Sequence, residues 1–565
     1  MVNQRKKDLT YLSVFIIGLI AVNVLSSFFF TRIDFTSEKR FTLTDITRRE
    51  LSSLDDDLHV TVYLEGDFPA GFKRLRSEVK DLLSDYQAYS HGHLRVTFVN
   101  PSSGSGEENN QRYQELTEAG LIPTNLSVKT EEGLTQKIIF PSALMTYKGR
   151  QMPVNFFQSR LGAGPEEVLN NAVQNLEYAF TSAIKRVRSG GRPRVGFTEG
   201  HGELSDIQLA DAMNALQGGF ETGRVDLKSI TFEGLDKLSL LVVPKPDKEF
   251  TEAEKFKIDY FLMHGGSIFW AIDNVSAELD SLRGMGSQLA FPKKLNLDDM
   301  LFRYGVRINY NLVADMNCSQ IPLTVGNAGG QPQIQMVPWL FYPIFMPVSQ
   351  HPLVKNMDGI RSEFASTVDT IAVKGVRKEI LLASSPFNRV LSTPALLSLQ
   401  MVEEEPDPRS FKNAPQPVAV LLEGNFPSDF ADRPLPEGIT GYPLMPLKSR
   451  RARMVVFADG DILKNQISNQ DGSTFPLGYD RYTQQQFGNR NFLLNVVDFL
   501  TDNSRIIYLR NKEVKVRLLD RARVRQEKLK WQSLNVGIPL VLMALAALIQ
   551  SVYRRRKYAR SPRTD

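Results

Sequence analysis

Three short clusters carry side chains capable of chemistry. Glu199-Gly200-His201-Gly202-Glu203 places carboxylates on both sides of an imidazole, a set that could ligate a metal or exchange protons. The two glycines equally suit a tight turn in which His201 is simply hydrogen-bonded, and no second histidine recurs nearby at ligand spacing. Asp459-Gly460-Asp461 and Asp480-Arg481 have the form of acidic sites at strand ends. Asp461 is equally placed to cap the next segment, and Asp480 to pair with Arg481 or Arg490. Asp273 closes the apolar run Ser267–Ile272. The candidate ligand or partner site is therefore Glu199, His201, Glu203, Asp273, Asp459 and Asp461, with no catalytic residue, metal or cofactor assigned.

Other chemistries lack their residues. The single Cys318 excludes an intramolecular disulfide framework and a multi-cysteine metal site, and it has neither a nucleophile elbow nor a nearby histidine. No Gly-x-x-x-x-Gly-Lys-Ser/Thr or Gly-x-Gly-x-x-Gly stands between a strand and a helix, so ATP hydrolysis and dinucleotide binding by those routes are not expected. Net charge is only +5, with much of the excess beside one apolar segment, which argues for a membrane surface and against nucleic acid.

Alternating and helical periodicities supply the scaffold. From 31 to 188 the predicted order is βαβαββα, that of a thioredoxin-like layer. Its strands are His59–Leu64, Leu94–Val99, Leu126–Lys129, Lys137–Tyr147 and Gln151–Phe156. Its helices are Arg74–Ser90, Glu107–Ala119 and Glu166–Arg188, with Thr44 or Asp45 capping an earlier one. The absence of Cys-x-x-Cys excludes thiol redox chemistry there. Residues 189–193 read as a linker. Residues 194–504 alternate strands (Arg194–Phe197, Glu221–Asp226, Leu238–Val243, Ser267–Ile272, Ala452–Ala458) with helices (Asp206–Leu216, Thr251–Met263, Asn489–Thr501). That alternation predicts an open, mostly parallel α/β sheet with helices on both faces. Asp298–Gln400 is less regular. Gly326–Gly330 reads as a mobile loop and Pro338–Pro343 as an apolar cluster near the surface or an interface. Leu64–Phe72 (LEGDFPAGF) and Leu422–Phe430 (LEGNFPSDF) echo each other after strand-like runs, as coincidence or a shared turn.

Tyr11–Phe30 and Leu534–Tyr553 are each about 20 residues of apolar sequence, enough to span a bilayer core. The first is read as an uncleaved anchor in preference to a signal peptide. Residues 1–10 and the basic tail 554–565 are expected in the cytoplasm, with the bulk outside. The stretch 505–533 reads as a mixed strand and charged-helix stalk, in which Arg521, Arg523, Arg525, Lys528 and Lys530 would meet the membrane surface.

The stem Glu38–Leu43, the run Tyr63–Arg76, Phe98–Pro101, Glu199–Leu204 (EGHGEL) and Phe256–Asp259 resemble the GldG-like, gliding-motility-associated ABC transporter auxiliary proteins of Bacteroidetes. Leu301–Arg307, Pro476–Arg481 and Asn489–Phe492 extend the likeness to nearly the whole chain. The resemblance implies a non-enzymatic subunit of the cytoplasmic (inner) membrane that accompanies ABC permease and ATPase subunits and binds an extracytoplasmic ligand. It also implies an amidotransferase-like second domain, although no matching Cys and His pair is present. The alternative is an envelope hydrolase or amidotransferase-like enzyme using Glu199, His201 and Glu203.

Overall fold

Caps and apolar runs set the elements of the fold. The computed structural model describes residues 2–28, 42–130, 133–157, 164–328, 331–355, 357–402, 406–441, 445–468, 470–502, 506–511 and 521–558. Residues 1–512 form one compact unit and 513–565 another.

In the first unit, β1 (Leu58–Val62), β2 (Leu94–Phe98), β3 (Ser142–Tyr147) and β4 (Arg150–Asn155) form a sheet in the order β2-β1-β3-β4. β1 and β2 are parallel, and β3 and β4 run antiparallel to β1 and to each other. Helices Ala70–Tyr89 and Pro165–Ser189 pack their apolar stripes on this sheet, burying Leu75, Val79, Leu83, Leu176, Phe180 and Ile184. Thr44 caps Asp45–Ser52 by accepting from the Thr47 amide. The expected single strand Lys137–Tyr147 is two. Gly133–Ile139 pairs with Thr124–Thr130 in a separate hairpin, and Phe140-Pro141 breaks the run before β3, because proline has no amide to donate to a ladder.

The second sheet is built on β5 (Arg194–Glu199), β6 (Glu221–Asp226), β7 (Leu240–Pro244), β8 (Ser267–Ala271), β9 (Cys318–Ala328), β10 (Gln331–Pro347), β11 (Val376–Ala383), β12 (Pro417–Gly424) and β13 (Ala452–Phe457). Its order is β9-β10-β11-β12-β13-β8-β7-β5-β6, with Ile360–Arg361 on β10. The parallel half is β6-β5-β7-β8-β13, a doubly wound order in which direction along the sheet reverses between β5 and β7. β9 to β12 are antiparallel. The sheet is therefore mixed and not mostly parallel, because hairpin-type connections in 318–424 replace crossover helices.

Further differences follow. Pro338–Pro343 lies within β10, and Trp339, Phe341 and Tyr342 are buried, not near the surface. Residues 326–328 continue β9 where a mobile loop is expected, while 329–330 fall outside the described residues. The helix expected from Asp206 begins at Ala210; Thr251–Met263 carries the expected capping box, and Asn489–Thr501 is a helix as expected. Within the echo Gly66 and Gly424 both have positive φ, 143° and 150°, although Gly424 ends β12 and Gly66 lies beyond the end of β1. A Cβ on Gly424 would lie 2.0 Å from the Gly375 carbonyl oxygen. The two sheets are joined by ion pairs of Lys185 with Asp502 and Arg186 with Asp498, and Tyr178 donates to Asp498 at 2.7 Å.

The stem residues 34–41 lie outside the described set. Helix Val2–Phe28 contains the apolar stretch Thr10–Asn23. In the second unit, helix Arg521–Tyr558 includes Gln526–Arg556, which is long and apolar enough to cross a membrane. Ile506–Asn511 is a 3-10 turn, so the described part of the stalk holds no strand.

Candidate functional site at the carboxyl ends of the parallel strands

Doubly wound sheets bind ligands beyond the carboxyl ends of their strands, where the order reverses. Two ionic clusters lie there. The first follows β5. His201 is 4% exposed and stacks on Phe250, centroids 3.9 Å apart. Its Nδ1 lies 3.2 Å from Glu203 Oε1 and its Nε2 3.1 Å from Glu254 Oε2, while its amide donates to Glu203 Oε2 at 2.6 Å. Burial pushes the imidazole down, but hydrogen bonds to Glu203 and Glu254 outweigh it and raise its pKa. Both ring nitrogens are thus engaged by carboxylates, leaving no lone pair for a metal or a proton acceptor's role. Glu199 stands apart, half-exposed and paired with Arg224 at 3.2 Å.

The second cluster gathers the loops after β7, β8 and β13 around Lys245. A positive φ of 55° turns this lysine off the end of β7. Its Nζ donates to Asp461 at 2.6 and 2.7 Å and to Glu278 Oε1 at 2.7 Å, and lies 3.3 Å from Asp273. Gly460 allows this closure, since a Cβ there would meet Lys245 Cβ at 2.4 Å. The Gly460 amide donates to Asp273 at 2.6 Å, the Asp461 amide to Asp459 at 2.7 Å, and Lys464 pairs with Asp461 at 3.0 Å.

Burial alone would push the Lys245 ammonium down. Asp461, Asp273 and Glu278 outweigh it and hold the group well above the usual lysine range. Burial likewise would raise Asp461, yet Lys245 and Lys464 hold it below the usual carboxylate range. Asp459, bonded by Ser362 and the Glu363 amide, is pushed well above that range by burial and by Asp273 and Asp461. Glu278 is raised by burial and by Asp461. Oxygens of Asp273, Glu278 and Asp461 lie close enough to hold a cation, and the Lys245 ammonium takes that place.

Of the expected site residues, the fold unites Asp273, Asp459 and Asp461, groups His201 with Glu203 separately, and leaves Glu199 outside both. Sequence reading missed Lys245, Glu278, Lys464 and Glu254. The available signal was Pro244-Lys245-Pro246, a charge between prolines at the end of a fully apolar strand. Asp480 accepts from the Tyr482 amide and the Thr483 hydroxyl, while Arg490 pairs with Asp211. Cys318 is pushed up to about 11 by burial and by Asp315, the reverse of an activated thiol. Lys528 and Lys530 are exposed on the helix that also contains Arg521, Arg523 and Arg525. A cavity of about 330 Å³ opens beside the second cluster, lined by Glu278, Tyr342, Arg361, Glu363 and Lys464 among others.

Fold and site define an α/β protein whose strand ends gather paired charges, with no acyl-transfer set assembled among the described residues. The chain belongs to the ABC_transp_aux family, an ABC-type uncharacterized transport system, whose profile matches residues 192–496. Membership assigns a transport-associated auxiliary role in association with ABC transporter components. Residues 37–146 match a domain of unknown function, DUF7088. The chain is 20% identical over 514 residues to an uncharacterized protein of Borreliella burgdorferi, covering 90% of this chain and 89% of that one. Among solved structures it is similar to the N-terminal domain of mmIFT52 (14% identity, 55% of this chain, 97% of that chain, TM-score 0.31). A ThuA-like protein from Bacteroides uniformis is also similar (14% identity, 55% of this chain, 93% of that chain, TM-score 0.26).

Proposed function

We propose that this chain is a non-catalytic auxiliary subunit of an ABC-type complex of the inner membrane, serving gliding motility or envelope export alongside permease and ATPase subunits. It is anchored by helices near both ends, with the bulk periplasmic and the basic juxtamembrane residues against lipid. Residues 31–188 form a thioredoxin-like domain, and residues 194–504 an amidotransferase-like ectodomain that binds a partner or substrate at the carboxyl ends of its parallel strands. The observation that carries the reading is Lys245. The position that turns off the central strand holds a charged ammonium in a carboxylate cage, where a hydrolase would need an activated nucleophile. The His201 geometry weighs against the hydrolase alternative for the same reason: a general base needs a free ring nitrogen.

Affinity purification of the detergent-solubilised full-length protein from its native membrane tests this. Recovery of a permease and an ATPase is the expected result. Recovery of the chain alone under gentle conditions, with hydrolytic activity lost in His201→Ala, would overturn it.

A further inference from the structure

The cavity beside the Lys245 cluster carries its own chemical signature. Its lining holds as many carboxylates as cations, with two tyrosines and several side-chain amides, and is more polar than apolar. Such a wall suits neither a lipid nor a polyanion.

Two of its charged groups are fixed in place and incompletely used. The Arg361 guanidinium lies over the Tyr342 ring at 4.7 Å, its Nη1 donates to Glu363 at 2.8 Å and its Nε to Ser319 at 3.2 Å. Its Nη2 donates to no described residue. The side chain is 14% exposed, and the cavity is what it faces. An oriented guanidinium edge with spare donors is the recognition element for a carboxylate. Lys464 also lines the cavity, 3.0 Å from Asp461 and 4.0 Å from Glu278.

Glu278 lines the same cavity. Asp459 is occupied by the Ser362 hydroxyl and by the Glu363 and Asp461 amides, which leaves Asp273, Glu278 and Asp461 facing the ammoniums of Lys245 and Lys464, three carboxylates against two cations. Glu278 is the most exposed of the three at 43% and the one that lines the cavity, so an incoming cation meets it first. An ammonium arriving there completes the balance. The ligand that satisfies both ends at once carries opposite charges at its two termini.

We propose that this cavity binds a small zwitterion of amino-acid or dipeptide size, its ammonium at Glu278 and its carboxylate at the free edge of Arg361. The volume of about 330 Å³ falls at the small end of the range for ligand pockets, which fits a dipeptide and excludes a folded chain. This rests on reading the carboxyl-end region as a binding site and is independent of which membrane subunits the chain accompanies.

Calorimetric titration of the full-length protein with alanylalanine, N-acetyl-alanylalanine and alanylalaninamide tests it. The zwitterion is expected to bind at least about tenfold more tightly than either blocked form, a difference of roughly 1.4 kcal/mol. Arg361→Lys should weaken alanylalanine and leave the amide unchanged, and Glu278→Gln should weaken alanylalanine and leave the N-acetyl form unchanged. The blocked ligands read both contacts on the unaltered protein, so the test stands even where a variant fails to fold. Equal binding of all three probes, or no binding up to about 10 mM, overturns the proposal. Permease and ATPase co-purification without dipeptide binding would defeat this inference alone; binding without co-purification would defeat only the auxiliary-subunit reading.

Discussion

The His201 and Lys245 clusters sit at the ends of neighbouring strands of one sheet, yet they are solved oppositely. Around His201 each ring nitrogen meets one carboxylate, and the Phe250 ring closes one face. Around Lys245 there are more carboxylates than cations, burial pushes the Asp459 carboxyl well above its usual range, and a cavity opens alongside. A cluster closed over by an aromatic ring, with every ring nitrogen engaged, fixes a turn; one that opens on a cavity leaves a place for a ligand to act. Residue type alone would have ranked them the other way, since histidine is the more familiar reactive group.

Removing the hub cation gives the largest contrast. Lys245→Met should lower stability by about 3–5 kcal/mol at neutral pH, the cost of stranding buried carboxylates. The folded-state pKa of Lys245 is raised and that of Asp461 depressed, so their attraction is constant through the neutral range. The variant's carboxylates can take up protons, so its deficit should shrink as pH falls towards 5; urea unfolding at the two pH values checks this.

His201→Gln should cost roughly 2–3 kcal/mol, the scale of hydrogen bonds to charged groups. Because the folded pKa is raised, the contribution is full below the unfolded value near 6.5 and is lost as pH rises through the folded one. Thermal melts at pH 6 and 9 should show the wild-type advantage narrowing at pH 9. An unchanged gap would mean that the imidazole is held neutral and the ion-paired account of this cluster is wrong.

A third buried acid extends the comparison. Asp429 is inaccessible, neither oxygen accepts a hydrogen bond within the structure, and burial pushes its carboxyl up to about 6 despite Arg433 at 3.3 Å. Here the raised pKa means that the folded state favours the proton, an advantage present below the unfolded value of 3.8 and lost as pH rises through 6. Asp429→Asn should therefore stabilise by roughly 1–2 kcal/mol at pH 7 and by little at pH 4, read from denaturation midpoints. The smallest effect belongs to Glu199→Gln, below about 0.5 kcal/mol, since Glu199 is half-exposed and Arg224 keeps Asp206 at 3.6 Å. A larger loss would join Glu199 to the His201 cluster after all.

Local signals in the sequence marked the parallel half of the sheet well. The capping box at Thr251 and Glu254, the apolar runs at Leu240 and Ser267 and the helix Asn489–Thr501 are all set by nearby residues. The antiparallel half was opaque because β10 carries Pro332, Pro338, Pro343 and Pro347, residues that argue against an inner strand, although its partners place them in a bulged ladder. The candidate acids Asp273, Asp459 and Asp461 were legible as strand-end carboxylates. Their centre was not, because Lys245 meets Asp461 across 216 positions of sequence and no local pattern encodes that meeting.

The place of β13 in the sheet has a consequence in time. It pairs directly with β8, Ile268 against Met454, although the chain completes the whole excursion from Ile272 to Arg451 before this strand exists. At about 5–20 residues per second of synthesis, the flank of β8 waits roughly 10–40 s for its neighbour. During that interval an apolar strand edge stands open on a growing chain, and protection from self-association must come from whatever holds the nascent polypeptide, because the fold cannot yet supply it.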